Sequence, residues 1–141
     1  MISFSTVEID YNLKNKLKIK NWVKSISANE GKSIRNIAYI YCNDTYLSSL
    51  NMKYLKHKTL TDIITFDYSE GEKLSGDIFI SLERVRENSV SFGTGFDKEL
   101  GRVMAHGILH LSGYKDKTSD SKLVMRTKED FYLTSFPNSS K

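Results

Sequence analysis

At 141 residues, the chain has the length of one domain with a single sizeable hydrophobic core. Hydrophobic residues at 39% and charged residues at 27% fit an ordinary globular protein, and a net charge of +4 permits an anionic partner without demanding one. The lone Cys42 excludes an internal disulfide, and no apolar run approaches the roughly 18 residues of a membrane span. Met1 to Asp10 lacks the basic start and apolar stretch of a secretory leader, so a cytoplasmic protein is expected.

Residues 2–8 alternate apolar and polar, which predicts a half-exposed strand. Leu13, Leu17, Trp22, Val23 and Ile26 then recur at helical spacing, with five lysines between Lys14 and Lys24 reading as a solvated face. Ile34 to Cys42 is a second strand, in which Cys42 reads as a small core residue. Asn43 or Asp44 caps a helix reaching about Lys56, with Tyr46, Leu47, Leu50 and Tyr54 as its apolar positions. Short strands follow at Asp62 to Phe66 and Asp77 to Ser81, parted by a turn at Glu70-Gly71-Glu72; each aspartate, at a strand start, has a turn or cap role or a functional one. Residues 82–91 read as helix, and Phe92-Gly-Thr-Gly95 as a break. A long helix begins at Asp97 and ends near Ser112 or Gly113, and a last one spans about Ser119 to Leu133. Strands early and helices late predict an α+β fold, a small sheet with helices packed on it.

The stretch His106-Gly-Ile-Leu-His110-Leu-Ser-Gly113-Tyr-Lys-Asp116 carries the chemistry. Four residues is one helical turn, so His106 and His110 project from one face within reach of one ion. Gly113 stands where the helix needs a residue of positive φ to stop, which lets the chain return Asp116 toward the imidazoles. Two histidines and a carboxylate with a position left open form the donor set of a catalytic zinc site, and Ile108, Leu109 and Leu111 supply apolar cover. Zincin proteases carry a general-base glutamate after the first histidine, and this chain has Gly107 there. The pattern keeps the metal and argues against the protease.

With these residues in view, His106-Gly-x-Leu-His110-Leu-x-Gly-Tyr114 resembles the signature of YbeY-type endoribonucleases, metal-dependent enzymes of ribosomal RNA maturation. Glu99-Leu100-Gly-Arg102 stands at the spacing of that family's Glu-Leu-x-Arg. Leu50-Asn51, Thr61-Asp62-Ile-Ile-Thr-Phe66 and Gly76-Asp77-Ile78 follow the same order. The resemblance implies a mixed four-stranded sheet, with the metal site on a helix of the C-terminal third and the turn after it. It implies one divalent ion, most simply zinc, held by His106, His110 and Asp116, and no small-molecule cofactor. It also implies a single-strand-specific endoribonuclease of the cytoplasm, acting in 16S rRNA 3′-end maturation and ribosome quality control. Partners would be single-stranded rRNA precursors and the ribosomal small subunit, with no membrane. The alternatives are a zinc metalloprotease-like hydrolase and a non-catalytic ribosome-associated metal-binding factor.

Two departures from the family pattern stand out. The family commonly has histidine where this chain has Asp116, which lowers the charge of the donor set by one unit. It also tends to carry a catalytic arginine a few residues after Leu-Asn, and here Leu55 stands there beside Lys56 and His57. Arg102, one turn before His106, is a candidate for that role, against a surface ion pair with Glu99 or Asp97. Glu99, Lys56 and His57 are further catalytic candidates; Glu99 competes with a role as a helix N-terminal carboxylate. For RNA contact, the chain offers Lys53, Lys56, Lys58, Lys115, Lys117, Lys122 and Arg126, with Tyr54, Tyr68 and Tyr114 interleaved. Lys53, Lys115 and Tyr114 are the leading ones.

Overall fold

The computed structural model describes residues 1–55 and 61–138, with Leu55 as backbone only. Four strands, β1 (Ile2–Thr6), β2 (Ser33–Cys42), β3 (Ile63–Asp67) and β4 (Lys73–Ser81), form one sheet in the order β1-β2-β4-β3. The first three in that order run parallel, and β3 closes the edge antiparallel to β4. Five α-helices accompany them: α1 (Lys16–Asn29), α2 (Asp44–Leu50), α3 (Leu82–Phe92), α4 (Phe96–Leu111) and α5 (Ser119–Leu133). The fold is the α+β arrangement expected, a mixed four-stranded sheet with helices packed on it.

Alternation along the strands divides the core. Ile37, Tyr39, Tyr41, Leu74, Ile78 and Ile80 face α1, α4 and α5, while Cys42, Ile64, Phe66 and Phe79 face α2 through Leu47, Tyr46 and Leu50. Two buried polar bonds fix the helices. The Tyr39 hydroxyl donates to the Met104 carbonyl at 3.0 Å, and the Trp22 indole donates to the Tyr132 carbonyl at 2.9 Å. At Gly107 an added Cβ would lie 2.9 Å from Ile78 Cγ2, so this glycine lets α4 lie close on β4. Gly113 has φ +110°, and the helix stops there as the sequence demands.

Several local expectations change. Leu17 is 72% exposed, because it lies two residues, about 200° of helix, from the buried position Ile19. Helix α2, capped by the Asn43 side chain, ends at Leu50 and passes into a π-helical turn, Asn51–Leu55. That change of pitch moves Tyr54 off the apolar face, and its ring is 55% exposed. Asp77 does not start a strand. Parallel pairing with β2 extends β4 back to Lys73, which places Asp77 mid-strand, opposite Ala38 and Phe66. The last helix begins and ends where expected, with Thr118 and Ser121 forming a capping box.

Candidate metal centre and active site

Helix α4 passes beside the edge strand β3, and α5 folds back along α4. Their meeting line carries the titratable groups. His106 is the junction. Its Nε2 lies 3.2 Å from Asp116 Oδ2 and its Nδ1 lies 2.8 Å from Glu129 Oε2. Glu129 is 5% exposed and takes a second bond at its other oxygen from Arg102, 3.0 Å away. The second guanidinium nitrogen of Arg102 donates to Asp130 at 2.7 Å. Burial of the His106 ring favours its neutral form, but the bond and charge of Glu129, with Asp116 and Asp62 nearby, outweigh it and hold its pKa above the ordinary histidine value. Both N–H groups of the cationic ring are matched by carboxylates.

His110 sits one turn on, its ring nearly parallel to that of His106 (9°), with centroids 6.1 Å apart. His106, His110, Asp116 and Lys117 line one recess of about 400 Å³ with Ile63, Ile64 and Thr65 of β3. A second recess runs from His106 and Asp116 to Lys122 and Arg126, and a third from His106 past Asp62, Glu99 and Arg102. Among the described residues, no three His, Cys, Asp or Glu side chains stand close enough to hold an ion as placed. The donor chemistry nevertheless fits a divalent ion of zinc type. An imidazole, fixed at Nδ1 by a buried carboxylate, presents Nε2 toward Asp116, and His110 shares their recess.

Arg102 makes neither of the ion pairs, with Glu99 or Asp97, that stood as the alternative to a catalytic role. It turns toward α5 and clamps Glu129 and Asp130, because packing α5 on α4 puts two carboxylates within its reach. Burial works against its charge, yet the bonds to Asp130 and Glu129 raise its pKa further. Glu99 lies in the first turn of α4, as the helix-terminal reading has it, but buried. It is 3% exposed, and burial raises its pKa despite Arg102 nearby. Asp62, just ahead of β3, is raised by burial too, with His106 opposing.

The expected RNA contacts divide. Lys117, Lys122 and Arg126 line recesses that include His106, and Lys115 is exposed on the turn beside Asp116. Lys53 lies over the Tyr54 ring and Tyr68 lines a cleft with Asp77, both outside the three recesses. The Tyr114 hydroxyl is committed to Glu30 at 2.6 Å, and Lys128 lies over its ring, so this tyrosine ties the turn to the C-terminal end of α1. Lys56, His57 and Lys58 lie outside the described residues. Sequence reasoning passed over Glu129, although a signal was present. Glu129 falls on the stripe Met125, Tyr132 and Leu133, and a carboxylate on the apolar face of a helix needs a buried partner.

Fold and geometry together define a small α+β protein whose titratable groups cluster on its last two helices. The family model described as Endoribonuclease YbeY matches residues 2–137. Curated proteins named Endoribonuclease YbeY include one from Flavobacterium psychrophilum, 52% identical over 96% of both chains, and one from Flavobacterium johnsoniae, 46% identical over 96% of this chain and 97% of its own. A Thermotoga maritima protein solved in solution matches with a TM-score of 0.65 at 27% identity, covering 96% of this chain and 89% of that one. The chain belongs to the Endoribonuclease YbeY family, a family of nucleases.

Proposed function

We propose that this chain cuts single-stranded RNA hydrolytically at the junction of α4, α5 and β3. One divalent ion, most simply zinc, is held there by His106, His110 and Asp116. The observation that carries the reading is the contact of His106 Nε2 with Asp116 while Glu129 holds Nδ1. An ion at this point supplies Lewis acidity toward water and toward a phosphoryl oxygen. His106, His110 and Asp116 line one recess and would hold the ion there.

The chain's own residues do the rest. Glu129 fixes the His106 ring, and Arg102 compensates the buried Glu129 charge. Arg126 and Lys122, at the rim beside His106 and Asp116, supply positive charge for the phosphates flanking the scissile bond. Arg102 acts through Glu129 rather than on the phosphate, since both guanidinium nitrogens that make its ion pairs are engaged. The edge strand β3 forms the opposite wall of the recess.

The substrate in the cell, by family resemblance, is the precursor of the 16S rRNA 3′ end, with defective ribosomes as a second target. The small subunit is the partner and the cytoplasm the location. A protease reading lacks its base: position 107 is glycine, and a side chain there would have to displace those of Ile78 and Ile63. The test is cleavage of a labelled single-stranded RNA and its duplex, before and after chelation and zinc restoration. Cleavage of the single strand alone, lost on chelation and restored by zinc, is expected; cleavage indifferent to chelation would defeat the proposal.

A further inference from the structure

The recess between α3, α4, α5 and the start of β3 contains a carboxylate with no hydrogen-bonding partner among the described residues. Glu99 is 3% exposed, yet its carboxylate makes no hydrogen bond and no ion pair within 4 Å among the described residues. Its side chain lines the recess, so its oxygens can accept a hydrogen bond from a ligand there. Glu99 lines a cavity of about 220 Å³ that also includes Asp62 and, at one end, His106. The other end is bordered by Asn88 and the exposed ring of Phe92. Arg102, in the same wall, is engaged by Glu129 and Asp130, and Arg126, also in the wall, lies 3.9 Å from Glu129.

An ionised carboxylate only accepts hydrogen bonds, so Glu99 and Asp62 select a ligand group that donates. In a ribonucleotide the donors are the sugar hydroxyls and some base N–H groups. The sugar is bonded directly to the phosphate and is present at every position. With a scissile phosphate beside His106, the adjoining ribose is the first donor-bearing group to reach the cavity. Phe92, at the outer border, offers a ring face to the base beyond. Carboxylates bind ribose hydroxyls in dinucleotide sites by the same chemistry.

We infer that Glu99 and Asp62 form a ribose subsite, accepting hydrogen bonds from a sugar hydroxyl of the nucleotide beside the scissile phosphate and so selecting RNA over DNA. The inference rests on the RNA-cleaving reading of the His106 site. It makes these carboxylates specificity residues rather than donors to the ion.

The experiment uses single-stranded RNA oligomers in which one nucleotide at a time carries a 2′-deoxy sugar on either side of the cleavage position. The wild-type protein should cut the all-ribose strand about tenfold to a hundredfold faster than the strand deoxy at one flanking nucleotide. Glu99→Ala and Asp62→Ala should bring that ratio to within about threefold of unity by slowing the all-ribose strand. Glu99→Gln, which keeps an acceptor oxygen and the side-chain volume, should retain part of it and serves where the alanine variant fails to fold. A ratio unchanged in the variants overturns the inference while leaving RNA cleavage intact. So does a flanking deoxy nucleotide that blocks cleavage in wild type and variants alike, which would make the hydroxyl itself the attacking group. Loss that follows base identity rather than the sugar also overturns it. Failure of the wild-type protein to cut any RNA would instead bring down the underlying reading, and the subsite with it.

Discussion

Glu129 holds His106 from α5: its Oε2 lies 2.8 Å from Nδ1 while Nε2 faces Asp116 at 3.2 Å. The carboxylate can only accept, so this bond requires a proton on Nδ1. One buried contact thus holds the ring's orientation.

Removing that contact should be felt in metal affinity. Glu129→Gln keeps the volume but weakens the acceptor, and partners of this kind are typically worth about 10- to 100-fold in affinity. Competition with a chromophoric chelator measures it. Zinc affinity equal to wild type would remove Glu129 from the site.

Arg102→Ala should lower both stability and turnover, because it leaves Glu129 buried with one partner fewer. Arg102 and Glu129 are both largely buried, and breaking such a pair costs about 3 kcal/mol. Urea unfolding at neutral pH gives the loss. Turnover lowered with stability unchanged would mean that Arg102 touches substrate after all.

Glu30 predicts an acid sensitivity far from the recess. Burial opposes its charge, but hydrogen bonds from the Tyr114 and Tyr132 hydroxyls and the Lys128 ammonium win and hold its pKa below the usual glutamate value. A folded-state pKa below the unfolded value, about 4.3, contributes stability that is complete above that value and drains away as pH falls through the folded pKa. Wild type should therefore lose more stability than Glu30→Gln between pH 6 and pH 3 in urea melts. Parallel losses would show that the network contributes nothing.

Cys42 should resist alkylation. Burial, with Asp44 adding to it, pushes its thiol up to about 12, so it is neutral and enclosed at pH 8. Mass spectrometry after iodoacetamide should show modification only once the chain is unfolded.

Much of this site was legible because its parts are local. The His106–His110 spacing, the stop at Gly113 and the return to Asp116 are all set within eleven residues by helix geometry and one positive φ. Secondary structure was equally plain where a period was clean, as in α5, and failed where pitch changed, as at the π-helical turn before Tyr54. The partners of Arg102 were hidden because they lie 27 and 28 residues away, on a helix whose packing angle no local pattern states. The same holds for Tyr114, which reads as an RNA contact in the chain and proves to be an anchor to Glu30, 84 residues away. Gly107 reads as a missing base; in the fold it is the point at which α4 touches β4.

The central claim is that one ion at His106, His110 and Asp116 supports RNA cleavage. Its most direct measurement is zinc stoichiometry together with cleavage of a defined single-stranded RNA, in wild type and in Asp116→Ala and His106→Ala prepared in parallel. About one zinc per wild-type chain, with metal and cleavage lost together in both folded variants, is the predicted result. Cleavage persisting at the wild-type rate in variants that hold no metal would contradict it.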